Sequence, residues 1–185
     1  VFKPSEHSPK VSELMIKCWV EAGLPSGVIS LIQGDKLCGA FLAEHSGIDA
    51  LFFTGSSGAG KHLLRSYSSN PSKMIALEMG GNNPLIVDQI SDCIAAAYTV
   101  IQSAYITAGQ RCTCARRLII VEPHCHPDFL EILVNLITRI RVGAYTDQES
   151  PFMGPVIDDA IAKRLLIHQD YLINQGAVSL VQMTP

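Results

Sequence analysis

Three short stretches carry residues whose types and spacing could do chemistry. The first is Cys112, in Gly109-Gln110-Arg111-Cys112-Thr113-Cys114. A thiolate is the nucleophilic form of cysteine, and nearby positive charge favours it. Arg111, Arg116 and Arg117 supply three cations close in sequence. Cys112 and Cys114 with His124, Cys125 and His126 could instead hold zinc, although the spacing matches no common finger. A surface loop with two incidental cysteines is the plainest alternative. The second stretch is Glu78 in L-E-M-G-G. A carboxylate at the end of an apolar strand, followed by two glycines, is expected at a ligand site. Partly shielded from water, it could act as a general base near neutrality; a solvated strand-end glutamate is the alternative.

The third stretch is Gly55-Ser56-Ser57-Gly58-Ala59-Gly60-Lys61, between an apolar run and a helical pattern. Glycines let a backbone approach phosphate, and a helix N-terminus favours the anion. The stretch nearly spells a P-loop, and Asp88 could pose as its second motif. But His62 stands where a Ser or Thr hydroxyl should meet magnesium. A dinucleotide turn, an ATP site and a tight turn that binds nothing all remain open on the pattern alone.

The elements that must position these residues alternate between helical and strand patterns. Ser8 and Pro9 read as the cap and first turn of a helix running to about Gly23, with Val11, Leu14, Met15, Cys18 and Trp19 facing inward. Runs 28–32, 48–53, 73–77, 84–87 and 117–121 read as buried strands. Runs 35–44, 61–67, 91–108, 127–141 and 160–173 read as helices, with Phe129, Leu130, Leu133, Leu136 and Ile137 of the fourth turned inward. Repeated strand–helix–strand units imply an α/β fold with a parallel sheet covered on both faces. The character of the chain changes near Gly80, which is read as a domain boundary between 1–79 and 80–185.

The 185 residues are 48% hydrophobic and 17% charged, with a formal net charge of −3. No basic patch suited to nucleic acid stands out, and no apolar run reaches membrane-spanning length. The six cysteines show no disulfide framework; Cys18, Cys38 and Cys93 read as buried thiols in a reduced, cytoplasmic setting. The start at Val1 and the stop at Pro185 read as cuts through a longer protein.

In register, these motifs resemble the aldehyde dehydrogenase family. F-T-G-S at 53–56 with Gly60 resembles its cofactor turn, L-E-M-G-G its general-base motif, G-Q-R-C its nucleophile motif, and Lys3-Pro4-Ser5-Glu6 its ribose-binding segment. The resemblance spans essentially the whole chain. It implies a partial Rossmann-like NAD-binding domain followed by part of the α/β catalytic domain. It further implies Cys112 as nucleophile and Glu78 as general base, through a thiohemiacetal and a thioester. NAD would lie against Gly55, Ser56 and Gly60, with Lys3 and Glu6 on the adenosine ribose; Glu6 would repel a 2′-phosphate, so NAD is expected over NADP. The stretches 76–88 and 102–118 are similar to a branch of the family that oxidises a dicarboxylate aldehyde in bacterial arginine breakdown, and Asn82 stands where many relatives carry Lys. Arg111 is then a candidate partner for a substrate carboxylate, because guanidinium offers a planar two-point fork; tuning the loop is its other possible role. Partners are expected to be a small-molecule aldehyde, without nucleic acid or membrane, and full-length relatives are expected to be homo-oligomers. The resemblance also implies an upstream Asn amide for the oxyanion, a downstream Glu-rich motif and strand-pairing segments between subunits, none of which is matched here. The chain alone is therefore expected to be weakly active or inactive and prone to associate.

Overall fold

The computed structural model describes residues 1–122 and 125–184. The chain forms two compact units, Val1–Met79 and Gly80–Pro185.

In the first unit, helix α1 (Pro9–Glu21) leads to α2 (Lys36–Glu44), strand β1 (Ala50–Gly55), helix α3 (Ser57–Tyr67) and strand β2 (Met74–Met79). Asp35 starts α2 because its carboxylate accepts from the Leu37 and Cys38 N–H groups at 2.9 and 3.3 Å, two donors with no partner inside the helix. β1 and β2 pair in parallel, placing Thr54 opposite Glu78 and Gly55 opposite Met79. The connection between them is α3, as a parallel pair requires. The buried Tyr67 at the end of α3 donates its hydroxyl to Ala43 O at 2.8 Å and so ties α3 to α2; burial pushes this phenol above its ordinary pKa.

Three expectations fail here. Residues 28–32 do not form a buried strand: only Leu31 makes a bridge, parallel to Phe2, and Val28 is exposed. Gly27, at φ +85°, sits in the turn just ahead of that run. Ser8 stands at the α1 cap position but does not cap with its side chain; its hydroxyl turns back toward Ser5 O at 3.5 Å. The apolar stripe of α1 is also not inward: Val11 is 67% exposed, and Leu14, Cys18 and Trp19 are exposed with it. Its spacing is helical, but spacing alone does not supply a surface for the stripe to cover.

In the second unit, β3 (Asn83–Val87) is followed by α4 (Cys93–Tyr105), a short 3-10 turn (Ile106–Gly109), β4 (Ala115–Ile120), α5 (Phe129–Ile137) and α6 (Asp159–Asn174). Asp92 caps α4 through bonds from the Ile94 and Ala95 N–H groups at 2.9 and 3.0 Å, and Asp158 accepts from Ile161 N at 2.7 Å to cap α6. β3 and β4 pair in parallel with a register shift between Asn83 and Pro84. Val87, Ala97, Val100, Ile101, Phe129 and Leu133 form the core, where α4 meets α5 and the end of β3. Of the stripe expected on α5, Leu130 is 41% exposed rather than inward.

The strands make two separate two-stranded pairs, not one sheet covered on both faces. Phe52 in β1 is 75% exposed and Ile86 in β3 65% exposed. In a strand, alternate residues face opposite sides: in β3 the exposed Ile86 is followed by Val87, 5% exposed, whereas β1 and β2 hold no fully buried residue. No helix among the described residues is long and apolar enough to cross a membrane.

Candidate functional site

The glycine-rich stretch of the first unit is less of a loop than its sequence implies. β1 ends at Gly55, Ser56 is the only linking residue, and Ser57 already begins α3. Gly58 and Gly60 are helical. Ser56 accepts from Ala59 N through its hydroxyl at 3.2 Å, which fixes the helix start. Such a turn leaves no extended loop to wrap a triphosphate, which removes the geometric basis of the P-loop alternative. What it offers is the first turn of a helix with Ser57 and Gly58 exposed, and a β-carbon added at Gly58 would meet open space. Free N–H groups and the positive end of the helix dipole are thus open to an anion.

Gly60 serves a different purpose. It is buried, and a β-carbon there would collide with Met79 Sδ and lie 3.0 Å from Met79 Cγ. Its absent side chain lets α3 lie close on the end of β2. Because Met79 is a flexible side chain at the surface, Gly60→Ala should change stability little: helix propensity gains about 1 kcal/mol while Met79 moves aside. Gly60→Val, with a branched side chain, should cost about 1–3 kcal/mol. Urea unfolding of the two variants would show this; equal stabilities would mean that α3 does not rest on Met79.

Lys3 lies half-buried with its ammonium donating to Pro4 O at 2.6 Å and Gly34 O at 2.7 Å. Glu6 is exposed in the turn that follows. Glu78 sits inside β2 opposite Thr54, near the strand's end, and is exposed rather than partly shielded as the sequence suggested.

In the second unit, the approach to Cys112 is strained. Thr107 and Ala108 both have φ +53° and Gly109 φ +67°. Left-handed backbone costs a non-glycine residue roughly 1–2 kcal/mol, so neighbouring contacts must hold this turn. Arg116 does so: its guanidinium donates to Gly81 O at 3.0 Å, Gly109 O at 3.1 Å and Arg111 O at 3.0 Å. Arg117 donates to Asn82 O at 3.0 Å. Two of the three cations expected to act by charge are therefore spent on backbone carbonyls. Asn83 Nδ2 donates to Cys112 O at 2.6 Å and to Cys114 O at 3.2 Å. Gln110 accepts from Ile157 N at 3.0 Å, which brings the segment before α6 to the same loop.

The result is an exposed Cys112 on a backbone held from several sides. Arg111 is exposed beside it, and among the described residues its guanidinium makes no hydrogen bond or ion pair. Cys114 is the opposite case: 2% exposed, with its thiol 3.7 Å from Ile106 O. The two cysteines therefore do not present a common face to a metal. Of the remaining zinc candidates, His124 lies outside the described residues, and no group of three metal-binding side chains occurs among the described ones. All six cysteines are free, and Cys18, expected buried, is exposed.

A family model described as the aldehyde dehydrogenase family matches residues 1–184. The chain belongs to the aldehyde dehydrogenase family. Among its relatives are the N-succinylglutamate 5-semialdehyde dehydrogenases of Pseudomonas fluorescens (strain Pf0-1) and Ectopseudomonas mendocina (strain ymp), 55% and 52% identical over 184 residues. Each alignment covers 100% of this chain and 38% of the relative, so the chain spans well under half the length of these dehydrogenases. Among solved structures, betaine aldehyde dehydrogenase from Staphylococcus aureus in complex with NAD+ matches with a TM-score of 0.86 at 29% identity, covering 99% of this chain and 37% of that one. The α/β reading of the fold stands on the same likeness.

Within this family member, sequence reasoning missed the bracing of the loop that carries Cys112. Asn83 drew no attention, and Arg116 was read only as a charge. One signal was available: Pro84 has no N–H to give the strand ladder, so a side-chain donor next to it is a natural substitute, and the register shift falls at that point.

Proposed function

We propose that the chain carries the nucleophile, base and adenosine-side cofactor segments of an NAD-dependent aldehyde dehydrogenase acting on N-succinylglutamate 5-semialdehyde. The observation that carries this reading is the exposed Cys112, on a loop whose carbonyls are held by Asn83 and Arg116. The names of the two relatives support the substrate.

The Cys112 thiolate attacks the aldehyde carbon; a C–S bond forms and the carbonyl electron pair moves to oxygen, where the Cys112 N–H donates to it. Oxidation of that carbon to the thioester level is the chemistry NAD supplies when bound. Glu78 then takes a proton from water, whose oxygen attacks the thioester carbon; the C–S bond breaks, freeing the acid and the Cys112 thiolate. Ser56, Gly55 and the open first turn of α3 suit the phosphates, with Gly60 letting that turn sit close to β2. Lys3, held by two carbonyls, keeps one ammonium proton for a ribose hydroxyl, and Glu6 disfavours a 2′-phosphate. Arg111 pairs with a substrate carboxylate. Six free cysteines suit a reduced, cytoplasmic setting.

The test is a chimera in which residues 1–184 replace the matching segment of the Pseudomonas fluorescens dehydrogenase. It should oxidise the dicarboxylate semialdehyde with NAD at a rate near the parent's, while the 185-residue chain alone should turn over weakly. Arg111→Leu in the chimera should raise KM for this substrate about tenfold or more, the worth of one charge-assisted pair, and leave a monocarboxylate aldehyde unaffected. A chimera that binds NAD yet oxidises no aldehyde would overturn the reading. An unchanged KM in Arg111→Leu would remove Arg111 from it.

A further inference from the structure

We infer that Arg116 is a positioning residue that aims the Cys112 backbone N–H at the oxygen of the reacting carbonyl. The inference rests on Cys112 being the nucleophile and adds what makes its amide an effective donor.

A peptide unit is planar and trans, so the N–H of one residue points opposite to the C=O of the residue before it. Arg111 O is held from two directions, by Arg116 Nη2 at 3.0 Å and by Cys114 N at 3.3 Å. Fixing that carbonyl fixes the Cys112 N–H on the far side of the same plane. The next plane is held as well, because Asn83 donates to Cys112 O at 2.6 Å. Both planes that meet at the Cys112 α-carbon are thus restrained. Among the described residues, the Cys112 N–H itself donates to no acceptor. An amide with no acceptor among the described residues, in a tightly held turn and on an exposed cysteine, is arranged for an oxygen that arrives with the substrate.

Arg116 does this with a shape that no other side chain shares. Its Nε, Nη1 and Nη2 address three carbonyls, those of Gly81, Gly109 and Arg111. The Gly109 bond also restrains the left-handed run that begins at Thr107. A lysine keeps the charge but has one rotating ammonium rather than a rigid planar fork. The two effects of Arg116, charge and direction, can therefore be separated.

Two reactions of the same thiol make the separation. Alkylation by iodoacetamide forms a C–S bond with loss of iodide and develops no oxyanion. Acylation by p-nitrophenyl acetate forms a C–S bond through a tetrahedral oxyanion, then breaks the C–O bond and releases p-nitrophenolate. In the chimera described above, Arg116→Lys and Arg116→Met should both alkylate at Cys112 within about twofold of the unmutated rate. Both should acylate slower by roughly 10- to 100-fold, short of the 10²–10³ that outright loss of an oxyanion donor costs elsewhere. Peptide mass spectrometry would confirm the modified position. If Arg116→Lys acylates at the unmutated rate, charge alone suffices and the positioning role is wrong. If alkylation and acylation slow equally, Arg116 merely keeps the loop folded and the inference also falls. If instead Cys112→Ala still shows the p-nitrophenolate burst, the nucleophile assignment itself fails, independently of Arg116.

Discussion

Replacement of Cys112 by alanine in the chimera should reduce aldehyde oxidation by on the order of 10⁴- to 10⁶-fold, the scale on which other enzymes lose rate with their nucleophile. Without a thiolate there is no covalent attachment, and the other thiol of the same loop cannot take its place. The neighbouring thiol, Cys114, is 2% exposed and its sulfur sits 3.7 Å from Ile106 O, at the start of the 3-10 turn. A buried thiol in such surroundings is inert. Cys114→Ala should accordingly leave a working enzyme, with a modest loss of stability from the small vacancy beneath the loop. The segments proposed to hold the cofactor belong to the other compact unit, so Cys112→Ala should titrate with NAD as the unmutated chimera does. Steady-state turnover and cofactor binding, measured on the same preparation, separate lost chemistry from lost folding. Turnover within tenfold of the unmutated chimera would end the assignment of Cys112 as nucleophile.

The contrast between Cys112 and Cys114 also shows where the sequence was informative. Motifs whose meaning is local could be read directly. Asp35 before an apolar helical run signals a helix start, and its carboxylate caps α2. The strand-to-helix step at 55–60 was legible as a feature, but its form was not. Glycines suggested a loop, whereas Ser56 caps so early that two of those glycines lie in the helix. What could not be read was anything that depends on a distant partner. The α1 stripe has helical spacing, yet Val11 is exposed because burial needs a second surface as well as a pattern. Arg116 looked like a source of charge; only the fold shows Gly81 O beside it, from a segment far back in the chain. Asn83 has only the Pro84 beside it to draw notice in the sequence, and its acceptor is known only when β3 pairs with β4 and brings the Cys112 carbonyl to its amide.

The exchange Glu78→Gln should separate the two halves of the reaction. Glutamine has nearly the shape of glutamate but cannot accept a proton from water. Glu78 sits in β2 in register with Thr54, and its side chain is exposed. The substitution therefore leaves no buried polar group unsatisfied, and stability should change by less than about 0.5 kcal/mol. Attachment of the aldehyde to Cys112 and its oxidation need no water, so a rapid burst of about one reduced cofactor per site should survive, as acyl-enzyme accumulation requires. Hydrolysis should then slow by roughly 10²- to 10⁴-fold, the usual worth of a positioned general base, and the acyl group should accumulate on Cys112. Hydroxylamine, a nucleophile that needs less help than water, should restore turnover by forming the hydroxamate. A burst that disappears together with the steady-state rate would place the role of Glu78 before the thioester, in activating the thiol or holding the aldehyde, and a burst followed by unslowed turnover would mean that water is activated elsewhere.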